Sequence, residues 1–346
     1  MVQSSTTAGA PPRDASAPPT TWRRWAWRTV IGAALVAILW GPAHVFLGKN
    51  IHALIPGKVY RGAQLDAAGI RSLVKQHGIR TIVNLRGTCY PQDWYVQEAR
   101  TAQELGLGLE DIGFSAGRWP SRHEMRRLVE VLDQAEYPLF LHCRHGADRT
   151  GMAGVVAVLL AGETTYAEAR RHMSLRYGHA PIGRTTFLDR FFELYEAWLA
   201  ESERAHSSDT FRHWLLEEYR GGQCTSVIEA ATPLQPRWRV GEPISYHVRV
   251  RNTSGAPWQF KPTRTAGMHL GFLLWDDAGK AVTSGRAGFM EKTVAPGEAV
   301  TVTVVIPPLK DAGRYHLVID MIEEGHCWFY QTGSELYEEE LDVRAD

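Results

Sequence analysis

The sequence predicts an α/β domain with a central, mostly parallel sheet flanked by helices, then an all-β sandwich, with one transmembrane helix before both. Three observations carry this prediction. Residues 49–203 alternate short apolar strands with amphipathic helices, which is typical of a parallel sheet covered by helices. From residue 233 onward, apolar and polar residues alternate with a period of two, which is typical of sandwich strands. Residues 29–48 contain no Lys, Arg, Asp or Glu, as expected of a membrane span.

The composition is that of a globular protein with a folded core. The chain has 346 residues, enough for two domains, and its 38 basic side chains balance its 38 acidic ones. Because there is no basic excess, no nucleic-acid partner is predicted. Residues 1–21 are rich in Ser, Thr, Ala and Pro, so we expect a disordered tail there.

Residues 22–48 predict a membrane anchor. A helix over 29–48 is about 30 Å long, the thickness of the hydrocarbon core. Basic and aromatic side chains stand on its N-terminal side: Trp22, Arg23, Arg24, Trp25, Trp27 and Arg28. The positive-inside rule then predicts a cytoplasmic N-terminus, with the folded domains on the extracytoplasmic, periplasmic side. A cleaved signal peptide is the alternative, and Pro42 and His44 weaken the far end of the span.

The next segment predicts a helix, a strand and a second helix. An apolar stripe of Ile70, Leu73 and Val74 indicates a helix that stops at Gly78, and TIVNL at 81–85 reads as a buried strand. A further helix is predicted to begin after Ser121, because Ser121 and Glu124 have the spacing of a capping box.

The second half of this domain predicts the strand PLFLHC at 138–143, an apolar helix at 150–162 and final helices within 185–203. Residues 204–232 are predicted to be a linker, and 233–346 a β-sandwich of about seven strands.

Aromatic residues of the sandwich are candidates for stacking on a glycan or a protein partner, although a role in the core is the better explanation: Trp275, Trp328, Phe329 and Tyr330.

Residues 142–151 read HCRHGADRTG and hold the chemistry of the first domain. A strand delivers Cys143 to a turn containing Gly146, and a helix begins near Arg149. The amide groups of such a turn, above the positive end of a helix dipole, form an anion-binding nest that favours a thiolate. Arg149 offers a planar fork for two phosphate oxygens, and Thr150 offers a hydroxyl near the sulfur. The pattern predicts thiolate attack on phosphorus and hydrolysis of a phosphocysteine.

A metal site is an alternative for the same stretch, because His142, Cys143 and His145 are zinc-type ligands. Neighbouring strand residues point to opposite faces, however, and no second ligand pair lies at the usual spacing. No metal ion or other cofactor is therefore predicted.

The decapeptide matches the loop H-C-x-x-G-x-x-R-[ST]-G of the protein tyrosine phosphatase superfamily at every fixed position. The preceding stretches IPGKVYRGAQ and GIRTIVNLRG resemble the compact dual-specificity-like phosphatases of bacteria, which are similar to the atypical plant and fungal ones. The resemblance covers residues 50–200 and implies a cysteine-dependent phosphatase. It makes Cys143 the nucleophile, Arg149 the phosphate clamp, Thr150 an aid to thiolate departure and His142 a hydrogen-bonding partner that tunes the cysteine. It also implies phosphoryl binding by the backbone of Arg144, His145, Gly146, Ala147, Asp148 and Arg149.

The sequence departs from this family where the general acid is expected. Trp119 and Pro120 resemble the start of the tryptophan–proline–aspartate loop of larger tyrosine phosphatases, but Ser121 stands in the third position. A serine is too weak an acid to protonate a leaving group. We expect Ser121 and Glu124 to serve as the helix cap instead.

Two aspartates remain as candidate acids. Asp111 lies 32 residues before Cys143, at the distance expected for the acid loop. Asp148 lies inside the loop beside Arg149, as in the myotubularin-type lipid phosphatases that this arrangement resembles. A carboxylate beside a bound phosphate is easier to protonate. Asp148 is the leading candidate, Asp111 the second, and a substrate that needs no enzymic acid the third alternative.

Three basic residues are predicted around the loop. By the resemblance, Arg86 at the end of NLRG supports the site, whereas Arg144 and His145 face outward and add positive charge for a polyanionic head group.

The sequence thus predicts a membrane-anchored phosphomonoester phosphatase, of the tyrosine or dual-specificity kind, acting on phosphorylated proteins. Phosphoinositides, other lipids or sugar phosphates are alternative substrates, and a non-catalytic phosphate-binding module is the alternative function.

The remaining cysteines predict no disulfide framework. The chain has four cysteines, too few and too scattered for one. In an oxidising compartment Cys224 could pair with Cys327, and Cys89 with Cys143. A disulfide-exchange function is disfavoured, because Cys143 has no resolving cysteine at motif spacing.

The C-terminal segments GFLLWDDAGK and IPPLKDAGRYHLVIDM resemble immunoglobulin-like sandwich modules that are appended to bacterial cell-envelope proteins. That resemblance implies no catalytic role for the second domain.

Overall fold

A computed structural model of the protein describes residues 25–32, 48–162 and 164–345. The predicted disordered tail, at 1–21, lies outside these residues. The predicted transmembrane helix is wrong: none of the helices in the described ranges is long and apolar enough to cross a bilayer. The described part of helix α1 covers residues 25–32, about 12 Å against the roughly 30 Å of a hydrocarbon core. Most of the predicted span, 33–47, lies outside the described residues.

The predicted single-pass topology is wrong with it. That topology placed the N-terminus in the cytoplasm and the folded domains in the periplasm, and it depended on a helix over residues 29–48. The described part of that segment, 29–32, is helical and exposed.

The first domain is built on a five-stranded sheet with strand order β1-β2-β5-β3-β4. Strand β1 is antiparallel to β2, and the other pairs are parallel, as predicted. The strands have these bounds: β1 His52–Ile55, β2 Val59–Ala63, β3 Thr81–Asn84, β4 Gly108–Asp111 and β5 Leu139–Cys143. Strand β5 lies in the middle and is buried along its whole length, which places its carboxyl end at the centre of one sheet edge.

Helices cover both faces of this sheet, and several ends follow the sequence signals. The helices are α2 Ala67–His77, α3 Asp93–Leu105, α4 Arg122–Gln134, α5 Asp148–Ala161, α6 Tyr166–Arg170, α7 Thr186–Glu201 and α8 Ser208–His213. Gly78 ends α2 in the left-handed region, with φ of 66°, as predicted. The capping box of Ser121 and Glu124 is formed at α4, also as predicted.

Helix α8 and the π-helical turn Trp214–Glu218 that follows it belong to the core of the first domain. Phe211, Trp214, Leu215 and Tyr219 are buried there among residues of α5 and α7. The chain enters the second domain at β6, which begins at Ser226.

The second domain is a β-sandwich with eleven described strands. Eight form one sheet and three form the other, ordered β13-β8-β6. Their bounds are β6 Ser226–Pro233, β7 Trp238–Arg239, β8 Ile244–Asn252, β9 Trp258–Phe260, β10 Met268–Asp276, β11 Ala281–Ala287, β12 Lys292–Val294, β13 Ala299–Ile306, β14 Gly313–Glu323, β15 Cys327–Trp328 and β16 Tyr337–Arg344. The sequence predicted about seven strands because strands of two or three residues are too short to show a period of two.

Candidate active site

The predicted catalytic loop lies at the carboxyl end of β5. Cys143 is the last residue of that strand and is 4 % exposed, and α5 begins at Asp148. The strand, the turn at 144–147 and the helix therefore follow one another as predicted. Within this turn Arg144 and His145 are exposed, whereas Gly146 and Ala147 are buried.

Gly146 is the residue that lets the turn close against β2. Its φ is 67°, in the left-handed region that favours glycine. A Cβ there would lie 2.4 Å from the carbonyl carbon of Gly62 and 2.6 Å from the nitrogen of Ala63. A side chain at position 146 would therefore push the loop away from the neighbouring strand.

Two residues that sequence reasoning missed hold the outer side of the loop. The Arg61 guanidinium donates to the Gly146 carbonyl at 2.6 Å and to the Ala147 carbonyl at 3.3 Å. The Asn50 amide donates to the Gly146 carbonyl at 3.0 Å and to that of His145 at 3.4 Å. A peptide N–H points away from the preceding carbonyl, so binding these carbonyls on the outside turns the amide groups inward.

Arg61 is fully buried, which is uncommon for a charged side chain. It also donates to the carbonyl of His172 at 2.6 Å, and its guanidinium lies 4.5 Å from the centre of the Tyr177 ring. Burial lowers the pKa of Arg61 to about 10, so the side chain stays cationic at neutral pH. The only sequence signal for it was its place in the stretch IPGKVYRGAQ.

Arg149 and Thr150, the second and third residues of α5, present their functional groups differently. The Arg149 guanidinium is oriented by the carbonyls of Leu85, at 3.4 Å, and Phe114, at 3.3 Å. The Thr150 hydroxyl is fully buried and has no hydrogen-bond partner among the described residues. The structure therefore places a braced arginine and a free hydroxyl donor in the first turn of α5, the helix that follows the cysteine loop.

The imidazole of His142 lies on the face of β5 opposite to the side chain of Cys143, because successive residues of a strand alternate. Its Nε2 is 3.1 Å from the Glu98 carboxylate, and the ring stacks on Phe140 with centroids 5.7 Å apart. A tuning role for this histidine stays a prediction.

Asp148, the leading acid candidate, belongs to a chain of charged groups. Its carboxylate is 2.8 Å from Nδ1 of His179, and Nε2 of the same ring is 2.9 Å from Asp189 in α7. Burial opposes a charge on His179, but the two carboxylates outweigh it and raise the pKa of His179 to about 9. The imidazole is therefore protonated at neutral pH. Side-chain exposure is 30 % for Asp148 and 1 % for His179.

Asp111, the second acid candidate, ends β4 on the same edge of the sheet. Its carboxylate accepts hydrogen bonds from Asn84 at 2.7 Å, from Thr88 at 3.3 Å and from the Tyr95 hydroxyl. Both oxygens are thus already engaged as acceptors, which makes Asp111 less suited to donating a proton.

The loop between β4 and α4, residues 112–121, is called the Trp119 loop, and it packs against the second domain. Trp119 is 4 % exposed and packs into the apolar core of the sandwich, and its backbone N–H donates to Nε2 of His326 at 3.2 Å. Glu124 is bound by both nitrogens of the Arg118 fork, at 2.5 and 2.9 Å, in addition to its capping bonds. Neither Ser121 nor Glu124 is free to act as the acid.

Arg86 adds positive charge beside the loop. Its guanidinium lies 3.7 Å from the Trp94 ring and donates to the side-chain oxygen of Gln64. Burial lowers the pKa of Arg86, and the nearby charges of Arg149 and Arg144 lower it further. Three arginines thus share one region of the surface.

All four cysteines are free thiols in this structure. Cys143, Cys224 and Cys327 are buried, and Cys89 is partly exposed near Arg86, whose carbonyl lies 3.6 Å from its sulfur. Of the aromatic residues considered for glycan binding, Phe329 is buried in the sandwich core, whereas Tyr330 is 47 % exposed.

Comparison with known proteins supports the phosphatase assignment. Residues 49–179 match the model of a family described as "DSP-PTPase phosphatase fused to NAD+ Kinase". The matched residues contain the five-stranded sheet and the whole catalytic loop. This domain is a cysteine-dependent phosphatase of the protein tyrosine and dual-specificity kind.

Solved structures with a similar fold include three with different descriptions. The core catalytic domain of the PP-IP phosphatase Siw14 from S. cerevisiae is 19 % identical, with TM-score 0.34, over 44 % of this chain and 93 % of that one. TpbA from P. aeruginosa, in complex with pTyr, is 17 % identical, with TM-score 0.35, over 49 % and 92 %. The C-terminal domain of wzt is 14 % identical, with TM-score 0.27, over 38 % and 80 %.

Proposed function

We propose that the first domain hydrolyses phosphate monoesters through a phosphocysteine on Cys143. The observation that carries this proposal is the binding of the loop carbonyls by Arg61 and Asn50, which aims the amides of Gly146, Ala147 and Asp148 into the turn. Inward amides, together with the N-terminus of α5, form a site for three phosphoryl oxygens.

In the first step the Cys143 thiolate attacks phosphorus, and the bond from phosphorus to the ester oxygen breaks. Arg149 clamps two phosphoryl oxygens while the leaving oxygen takes a proton. In the second step water attacks phosphorus and the P–S bond breaks, which releases inorganic phosphate and restores the thiolate. The unpartnered hydroxyl of Thr150 is available to donate to the departing sulfur.

Asp148 is the proton donor in this proposal. It is the more exposed partner of His179, and it stands beside the arginine that binds the phosphate. Asp148 regains its proton from the attacking water in the second step, while the His179 imidazolium stays charged and holds the carboxylate at 2.8 Å. Asp111, held by three donors, is assigned a supporting role at the end of β4.

Phosphorylated proteins are the first substrate class, and tyrosine phosphate is the most favourable group because its phenolate is a good leaving group. A second class is supported by Arg86, Arg144 and Arg149 lying in one region of the surface. Three cations favour a substrate with a second anionic group beside the scissile phosphate, such as a phosphoinositide or a sugar bisphosphate.

The mechanism is tested with the Cys143→Ser and Cys89→Ser variants on an aryl phosphate. Cys143→Ser should abolish turnover, whereas Cys89→Ser, the matched thiol substitution, should retain it. Rapid acid quenching of the unaltered protein should trap phosphate on Cys143, detected by mass spectrometry. Near-normal turnover by Cys143→Ser would exclude the proposed mechanism.

The acid is tested by comparing Asp148→Asn with Asp111→Asn on alkyl and aryl phosphates. Loss of the acid should lower the alkyl rate by about 100-fold or more and the aryl rate much less, since an aryl oxide leaves without help. If Asp111→Asn shows this pattern and Asp148→Asn does not, the assignment of the acid is reversed.

The substrate class is tested by kcat/KM on phosphotyrosine peptides, phosphoinositides and sugar bisphosphates, each with the Arg86→Met and Arg144→Met variants. A polyanionic substrate should lose more from these substitutions than a phosphotyrosine peptide does. Equal losses for all substrates would remove the support for the second class.

A further inference from the structure

A cluster of metal-type ligands lies between the two domains, away from the catalytic loop. Cys224, His326 and Cys327 are each at most 7 % exposed, and one donor atom from each lies within 4.8 Å of the other two. We propose that these three residues, with Glu323, bind a zinc-class divalent cation. The site is independent of the phosphatase function proposed above.

The donor chemistry selects the class of metal. Two thiolates and an imidazole suit zinc and similar soft ions, whereas calcium and magnesium require oxygen ligands. The distance from the Cys224 sulfur to Nδ1 of His326 is 3.7 Å. Ligands at ordinary zinc distances in a tetrahedron leave about 3.6 Å between sulfur and nitrogen, so this edge of the tetrahedron is already present.

Glu323 supplies the fourth ligand. Its Oε2 lies 2.6 Å from Nδ1 of His326 and 3.0 Å from the Cys224 sulfur, which are hydrogen-bond distances. A bound ion would replace these hydrogen bonds and would move the oxygen away from each neighbour by about 0.5 to 0.8 Å. Gln223 donates to the other carboxylate oxygen at 2.9 Å and so orients the group, as outer-shell partners of metal ligands do.

The surroundings hold the imidazole in place. The Phe187 ring, from α7 of the first domain, stacks on His326 with centroids 3.5 Å apart and planes 3° from parallel. The Cys224 carbonyl accepts from the Thr332 hydroxyl at 2.5 Å. A side chain of the first domain therefore packs on a buried ligand set, which is the setting of a structural metal site.

Metal binding would also affect the Trp119 loop. An imidazole that binds a metal through Nδ1 carries its proton on Nε2, the atom that accepts from the Trp119 N–H at 3.2 Å. Two donors would then face each other, so the loop before α4 would have to shift. Occupancy of this site is therefore coupled to the segment that joins β4 to α4.

The test begins with the full chain in the Cys143→Ser background, which removes the catalytic thiolate as a competing ligand. The protein is incubated with zinc, desalted and weighed by native mass spectrometry, and the thiols are then counted with a thiol reagent. One zinc per chain and two thiols protected until a chelator is added are the expected results. Addition of cobalt instead of zinc should give absorption bands from thiolate-to-cobalt charge transfer.

Matched substitutions locate the site. Loss of an outer-shell partner lowers metal affinity by about 10- to 100-fold, and loss of a direct ligand should cost more. Cys224→Ser and Cys327→Ser should therefore each weaken zinc binding by at least about 100-fold. Cys89→Ser, the same change at a cysteine outside the cluster, should not weaken it. Zinc that survives both cluster substitutions would overturn the assignment.

Two results with the parent protein would also overturn it, without need of any variant. A chain that binds no zinc and whose peptides show Cys224 linked to Cys327 would show that these two cysteines form a disulfide instead. A chain with its thiols free, and with no zinc bound at millimolar metal, would show a hydrogen-bonded cluster only.

Discussion

Asp148 and His179 form a charged pair, with Oδ1 of the aspartate 2.8 Å from Nδ1 of the imidazole. The pair connects the first residue of α5 to the segment before α7, and Asp189 extends it on the other side at 2.9 Å. Since the imidazolium is buried between two carboxylates, it is bound by both of them and stays charged at neutral pH.

The charged pair makes stability depend on pH. The pKa of His179 is about 9 in the folded protein, above the roughly 6.5 of an unfolded chain. Because the pKa is raised on folding, the pair makes its full contribution to the free energy of unfolding below about pH 6.5. This contribution is lost as pH rises toward 9. His179→Gln should therefore lower the free energy of unfolding by about 2 to 3 kcal/mol at pH 6.5 and by much less near pH 9.5.

Urea unfolding at several pH values measures this difference. His213→Gln is the control, because His213 is 44 % exposed and its contact with Glu218 is on the surface at 3.4 Å. A His179→Gln penalty that stays constant from pH 6.5 to 9.5 would show that packing, and not charge, is responsible.

Arg61 is expected to be indispensable to the loop although it does not touch substrate in the proposal. Arg61→Met keeps the length and apolar stem, but it removes the donor to the His172 carbonyl and leaves the Gly146 carbonyl with the Asn50 amide alone. We expect a loss of about 3 kcal/mol in unfolding free energy and at least a 100-fold fall in kcat/KM.

The control for this substitution is Arg80→Met. Arg80 is 59 % exposed and pairs on the surface with Glu136 at 3.2 Å, so its loss should cost about 0.5 kcal/mol or less. Equal effects of the two substitutions on stability and kcat/KM would contradict the role given to Arg61.

How much the sequence predicts depends on whether the signal is local. The Gly78 helix stop and the Ser121 cap were predicted correctly, because each acts within four residues of the chain. Arg61 was missed because its partner Gly146 lies 85 positions away, and no motif connects them. The Cys224 and His326 pair is separated by 102 positions, which also hides it from a search for spaced ligands.

The transmembrane prediction failed for a related reason. It counted the absence of charged residues over 29–48, a local property, whereas none of the helices in the described ranges is long and apolar enough to cross a bilayer. The loop chemistry, in contrast, lies within ten consecutive residues, 142–151, which is why it could be read directly.

Alanine substitutions at Gly146 and Gly106 distinguish the effect of backbone strain from the effect of a steric clash. Both have similar positive φ angles, 67° and 64°, so alanine strains the backbone at each by about 1 to 2 kcal/mol. A Cβ at 106 has nothing within 4 Å, whereas one at 146 lies 2.4 Å from the backbone of Gly62. Gly146→Ala should therefore abolish most activity, while Gly106→Ala should only lower the unfolding free energy.

Steady-state kinetics and urea unfolding on the two glycine variants check this expectation. Activity of Gly146→Ala within about threefold of the unaltered protein would mean that the loop can move off β2 without losing its amide nest. The same loss of activity in Gly106→Ala would assign the effect to backbone strain alone.

Gly222 tests whether the second domain controls the Trp119 loop. At this position φ is 72°, and a Cβ would lie 2.4 Å from the Trp119 ring, so alanine must displace the indole from the sandwich core. The control is Gly241→Ala, where φ is 81° and nothing lies within 4 Å. Gly222→Ala should cost about 3 kcal/mol and lower kcat, because the displaced loop continues from Phe114, whose carbonyl braces Arg149. Thermal unfolding and kcat on an aryl phosphate measure both effects, and an unchanged kcat in a destabilised protein would show that the sandwich holds the loop for stability only.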